Sequence, residues 1–205
     1  MKSATSERAG ARRAGAPRAP DGRQQRAERS REAIVSALFA LVGEGVLQPT
    51  AQQVAERADV GLRTVFRHFE DMDALFATMA ARLSADALPS FTEPRSGAPL
   101  AARTEELVGR RARLFERIAP YKRSANVQRW RSPFLGSRHA RLVRQLRADL
   151  ERALPELAAL PAETVAAVEL VTSFEAWDRL RSDQRLSRKQ AEATLLGALR
   201  ALLAR

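Results

Sequence analysis

Between Arg26 and Val42 the large apolar side chains fall at Ile34, Leu38 and Leu41, with Val35, Phe39 and Val42 beside them. These are two stripes at i, i+4 and i+7 that merge into one broad face. The spacing predicts an amphipathic helix, ended by the backbone freedom of Gly43 and Gly45, after which Pro49 holds an extended approach to Thr50. Thr50 is a good N-cap for a second, short helix that buries Val54, Ala55 and Ala58. Asp59, Val60 and Gly61 then make a tight connection to a third helix from about Leu62, expected to turn Val65, Phe66 and Phe69 inward. A fourth follows at once, with Asp71 as N-cap, Asp73 in the first turn and Leu75, Phe76, Met79 and Leu83 as its buried side. Two short helices joined by about three or four residues are a helix-turn-helix pattern.

Residues 85 to 100 carry Pro89, Pro94, Gly97 and Pro99, a helix-breaking composition that marks a boundary or a loop. Helical periodicity then returns. Leu107, Leu114, Phe115 and Ile118 predict a helix ending near Pro120, and Leu142, Val143, Leu146, Leu150 and Leu154 predict another ending at Pro155. Trp130, Pro133 and Phe134 sit in a less regular stretch between them. Pro161 leads into one long apolar-faced helix from Val165 to Leu180, and Leu186 to Leu203 forms the last. Nothing reads as a strand, and there is no internal repeat, so the expected fold is all-α. It comprises residues 1–22 as a disordered basic tail, 23–83 as a helix-turn-helix domain and 84–205 as a larger helical domain.

Charge changes this picture more than length does. Lys and Arg number 35 against 24 acids, a formal net charge of +11, so an acidic partner is the first to consider, and nucleic acid leads. The excess is uneven. Residues 1 to 80 hold 12 basic and 10 acidic side chains, whereas Arg103 to Arg152 holds 14 against five. In that second segment Arg110, Arg111, Arg113 and Arg117 recur on several helix faces, as do Arg138, Arg141, Arg144 and Arg147. Most are therefore expected in water as a solvated face, with auxiliary contact to DNA or to an anionic effector as the other reading. The basic tail is either a solvated leader or an arm that touches phosphate.

Other chemistry is scarce. The chain has no Cys, which excludes disulfides, a thiolate nucleophile and an iron–sulfur cluster, and His68 and His139 lack a helical metal-ligand spacing, so no metal or cofactor is expected. With no Gly-rich phosphate loop and no local signature joining Ser, His and Asp, the reading is of a protein that is not an enzyme. No apolar run approaches a membrane span, and Pro17 and Pro20 interrupt the place where an export signal would need an apolar stretch. The expected location is the cytoplasm.

The segment from Thr50 to Phe69, TAQQVAERADVGLRTVFRHF, followed by an acidic residue and Ala74-Leu75, resembles the DNA-binding region of the tetracycline-repressor (TetR) family; the match covers about residues 26 to 83. The resemblance implies a dimeric bacterial transcription regulator, more often a repressor, with a helix-turn-helix domain and a larger helical domain that binds a small effector. It also implies a homodimer through the last two helices and a palindromic operator in double-stranded DNA. Arg63, in the first turn of the recognition helix, is the best candidate to read a guanine, because its planar fork matches O6 and N7. Leu62 would pack on a thymine methyl. Gln52 and Gln53 would donate to phosphate or adenine, or else are solvated surface residues. Thr50 and Thr64 would bond phosphate, and Arg67 with His68 would clamp the backbone, His68 alternatively capping the helix C-terminus.

Three positions depart from the family pattern. Asp59 stands where a turn glycine is usual, Phe66 replaces a Tyr whose hydroxyl commonly reaches phosphate, and Met72 replaces a Lys. Two other readings remain: a helix-turn-helix fold used to bind a protein, and a nonspecific DNA-coating protein. For the effector pocket the candidates are the large aromatics Phe115, Tyr121, Trp130, Phe134, Phe174 and Trp177, with ordinary helical core as their other reading.

Overall fold

The computed structural model describes residues 22–87 and 97–204; the basic tail and most of the Pro-rich segment fall outside the described residues. Those described are helical without a strand: α1 (Gly22–Gly43), α2 (Ala51–Arg57), α3 (Leu62–His68), α4 (Met72–Ala87), α5 (Leu100–Gln128), α6 (Pro133–Ala153), α7 (Ala162–Val171), α8 (Phe174–Asp178) and α9 (Arg188–Leu203). A 3-10 turn at Pro155–Ala159 joins α6 to α7, and a π-turn at Arg179–Asp183 extends α8.

The apolar stripes of α1 to α4 close into one core, in which Ile34, Val35, Leu38, Val54, Val65, Leu75 and Phe76 are almost fully buried. This unit is called the head here. A second core, the body, joins α5 to α9 through Leu107, Leu114, Phe115, Leu150, Phe174, Trp177 and Leu199. Helix α5 touches both, because Tyr121 and Ala125 pack on the head core while Leu114 and Ile118 belong to the body.

Local chemistry explains the turns of the head. After α1, Val46 N–H bonds Leu41 C=O and Gly45 N–H bonds Val42 C=O, a Schellman ending with Gly45 in the left-handed region at φ 95°. After α2 the same pair of bonds recurs, from Val60 to Ala55 and from Asp59 to Glu56, with Asp59 at φ 52° in the position glycine usually takes. Aspartate tolerates that region better than most L residues. Thr50 caps α2 through a full capping box with Gln53, and Asp71 accepts the Ala74 N–H at 2.8 Å to start α4.

Four expectations change. Helix α5 does not end near Pro120 but runs through it to Gln128. A mid-helix proline costs about 3 kcal/mol, here offset by burial on both sides of it, at Phe115, Ile118 and Ala119 before and at Lys122 and Ser124 after. The long helix expected from Val165 to Leu180 is broken at Thr172–Ser173. Thr172 ends α7, and the Ser173 hydroxyl caps α8 by accepting the Ala176 N–H. Polar capping groups inside an apolar run favour two shorter helices over one. Pro133 and Phe134 begin α6, capped by Ser132, so the irregular stretch between α5 and α6 is shorter than expected. Phe66 does not turn inward; it is 49% exposed, while Val65 and Phe69 are buried.

In the basic segment Arg113, Arg117, Arg141, Arg144 and Arg147 are exposed, as expected, but its interior members differ. Arg110, Arg111 and Lys122 are buried rather than solvated. Arg110 pairs with Asp149 at 2.9 Å; Arg111 donates to the Thr172 carbonyl at 2.6 Å and to the Leu146 carbonyl at 2.5 Å, and lies 3.8 Å from the same carboxylate. Burial pushes the Arg111 pKa down to about 10, against the pull of Asp149.

Candidate nucleic-acid interface and effector cavity

Helix α3 is seven residues long and divides its side chains cleanly. Val65, with Phe69 just beyond the helix, anchors it to the head core, leaving Leu62, Arg63, Phe66 and Arg67 exposed and Thr64 half-buried. Leu62 (39% exposed) and Phe66 lie at i and i+4, an apolar ridge with an arginine beside each member. Large apolar side chains kept in water next to cations form a surface suited to a polyanion with apolar edges, which is what a DNA groove offers. Phe66 has no hydroxyl to donate to phosphate, so its contact is limited to packing.

The residues at the start of α2 are partly committed. The Thr50 hydroxyl accepts the Gln53 N–H at 3.2 Å, and Gln53 Oε1 accepts the Thr50 N–H at 2.9 Å, which leaves the Gln53 amide nitrogen as its remaining donor. Gln52 Nε2 donates to Glu56 at 2.7 Å on the exposed face. His68 departs furthest from a backbone clamp: it is half-buried, and its Nε2 is buried without a hydrogen-bond partner. Desolvation first, then the charges of Arg67 and Arg31, hold its pKa below the ordinary value.

Several ties fix the head. Arg57 forms a bidentate pair with Glu44, Arg82 with Glu32, and the Arg31 guanidinium lies 5.0 Å from the Phe69 ring centre. Other bonds reach across to the body. Ser132 at the start of α6 donates to Asp73 of α4 at 2.8 Å, Arg138 bonds Ser84, and Ser124 of α5 donates to the Leu47 carbonyl at 2.8 Å.

A cavity of about 150 Å³ lies between α4, α5 and α6. Its apolar walls include Phe76, Met79 and Leu83 from α4, Ile118 and Tyr121 from α5, and Leu135 and Leu142 from α6; Lys122, Asn126, Arg129, Arg138, His139 and Arg141 add polarity. Of the six aromatics expected at a pocket, Tyr121 alone lines it. Phe115, Phe174 and Trp177 are sealed in the body core, where Phe115 and Phe174 meet edge to face at 5.7 Å and Trp177 Nε1 donates to Glu116. Phe134 packs on the head core and Trp130 is 81% exposed under the Arg129 guanidinium. Of its polar members the sequence offered Arg138 and Arg141, in the basic segment whose other reading was an anionic effector, but not Lys122, Asn126, Arg129 or His139; the available signal was the scarcity of acid around them. Among the described residues no cluster of His, Asp and Glu could hold a metal ion, and no helix is long and apolar enough to cross a membrane.

No family model matches the chain, and no curated protein matches it. Solved structures do. A TetR-family transcriptional regulator from Streptomyces coelicolor superposes with a TM-score of 0.66 at 20% identity, over 86% of this chain and 81% of that one. A transcriptional regulator from Rhodococcus sp. Rha1 gives 0.63 at 21% identity, over 86% and 95%. A TetR-family regulator from Haemophilus influenzae gives 0.53 at 19%, over 89% and 98%. The chain therefore has the fold shared by TetR-family transcriptional regulators, an N-terminal helix-turn-helix unit on a helical body.

Proposed function

We propose that the protein is a sequence-specific DNA-binding regulator of the TetR type, a repressor released from its operator by a small effector, and not an enzyme. The observation that carries this reading is the face of α3: Leu62, Arg63, Phe66 and Arg67 stand free while Val65 and Phe69 fasten the helix beneath them. Arg63 reads a guanine edge, Leu62 packs on a thymine methyl, and Arg67, Thr64 and the α2 start, with Thr50, Gln52 and Gln53, hold phosphate. His68 serves as packing under the helix end. Such a protein acts in the cytoplasm, on the nucleoid.

The proposal includes a homodimer on a palindromic operator, and two further faces support it. Ala162, Ala166 and Leu170 (67% exposed) lie at i, i+4 and i+8 on α7, and Ala193, Gly197 and Ala201 do the same on α9. Small and apolar exposed rows on neighbouring helices suit a second copy across a two-fold axis. A Cβ at Gly197 meets nothing in the protomer, so Gly197→Arg should leave the fold intact and give a monomer by light scattering. Release is supported by α4, whose Phe76 and Met79 belong to the head core and also wall the cavity, so an occupant bears directly on the placement of the head.

The test is binding of purified protein to labelled DNA from the flanks of its own gene, with scrambled competitor, at two salt concentrations. Retention of one site against competitor, with a modest salt slope, is the expected result. Equal, steeply salt-dependent binding to every DNA would point to a coating protein, and no binding at either salt to a protein partner.

A further inference from the structure

The cavity between α4, α5 and α6 has one-sided chemistry. Lys122, Arg129, Arg138 and Arg141 line it, and no Asp or Glu does. The arrangement around Lys122 makes the bias stronger. Its ammonium has three hydrogens and spends them on Asn126 Oδ1 at 2.6 Å, His139 Nδ1 at 2.9 Å and Glu175 Oε1 at 3.1 Å. Because His139 accepts at Nδ1, its ring proton sits on Nε2; because Asn126 accepts through its oxygen, its remaining group is the NH2. A buried lysine thus turns two neutral neighbours into donors. Glu175, the acid paired with Lys122, does not line the cavity. Arg129 adds a buried Nε that has no hydrogen-bond partner.

The volume of the whole space sets the size of an occupant. A space near 150 Å³ walled by Leu, Ile and Phe side chains holds a benzene-sized molecule. We infer that this cavity binds a small organic carboxylate whose apolar body is about the size of one aromatic ring, with the anion toward the Lys122, Asn126, His139 cluster and its neighbouring arginines. The inference deepens the effector reading proposed above, but binding itself requires neither DNA nor a second copy.

The experiment is calorimetric titration of the full-length protein, without DNA and at fixed ionic strength, with benzoate, its neutral counterpart benzamide and the cation benzamidine. Benzoate is expected to bind about tenfold or more tightly than benzamide, because its hydrogen bonds are charge-assisted, and benzamidine not at all. Benzamide binding as well as benzoate, or an absence of benzoate binding, overturns the proposal. Ala125→Trp fills the cavity without touching its charges and should abolish benzoate binding; unchanged binding would place the anion elsewhere and also overturn it. Lys122→Met should abolish binding as well. Since that variant leaves Glu175 without its partner, Arg141→Gln, at an exposed side chain, serves as the folded control, with binding weakened several-fold. A protein that binds benzoate but no flanking DNA refutes the regulator reading alone; one that binds DNA but not benzoate refutes this inference alone.

Discussion

The head and the body solve the same packing problem with different chemistry. Every ionisable side chain buried among the described residues lies in the body, at Arg110, Arg111, Lys122 and Asp149, whereas the buried residues of the head are apolar throughout. The core under α3 holds no buried charge and has one good packing, which suits the proposed role of that helix in holding several side chains in fixed register on a groove. A body with charge inside is different in kind. Its stability depends on which partners those charges keep, so the anion inferred for the cavity would change the electrostatic balance around Lys122 and not only the packing.

The sharpest way to break this contrast is Asp149→Ala, which leaves Arg110 and Arg111 without their carboxylate. It should cost about 3–5 kcal/mol in chemical denaturation. A loss under about 1 kcal/mol, the range of exposed pairs, would mean the body charges are not held as described. Next comes Arg63→Ala, expected to leave unfolding unchanged while weakening the cognate operator by about 1–3 kcal/mol; equal losses on cognate and scrambled DNA would move Arg63 from base to phosphate. Thr50→Ala removes the capping box that its hydroxyl forms with Gln53 and should cost about 1 kcal/mol of stability in chemical denaturation.

The smallest effect is in pH. His68 and His139 both have folded pKa values below the ordinary 6.5, chiefly through desolvation, so the unfolded chain binds more protons and stability falls as pH drops through about 6.5. His139→Gln and His68→Gln should each flatten that slope in thermal melts. The carboxylates lowered by arginine partners, such as Glu32 and Glu116, lose their contribution at more acidic pH, below about 4.5.

The head was largely legible from sequence because its determinants are local. Thr50 and Gln53 are three residues apart, Asp59 follows a helix end, and the apolar stripes of α1 and α4 have one period. Phe66 was misread as inward because a short helix between two buried positions leaves the phase of the third undetermined until the partner helices are placed. In the body the determinants are distant. Pro120 continues a helix only because core packs on both sides of it, and Arg111 is buried because the end of α7, 61 residues away, supplies a carbonyl. The aromatic residues do not mark the cavity for the same reason: a ring buried at Phe174 or exposed at Trp130 looks alike in a sequence, and the cations that line the cavity look like surface.

Phe76 and Met79 serve the head core and the cavity wall at once, so under the proposed release each head would answer to the cavity of its own chain. In a two-fold assembly on a two-part operator, that arrangement makes the response count its ligands. A dimer with one filled cavity would have one displaced head and one still in register, and a dimer with both filled would have neither in register. Promoter output would then rise with effector more steeply than single-site occupancy, with a Hill coefficient between one and about two, the number of cavities, even though neither cavity senses the other before DNA is bound.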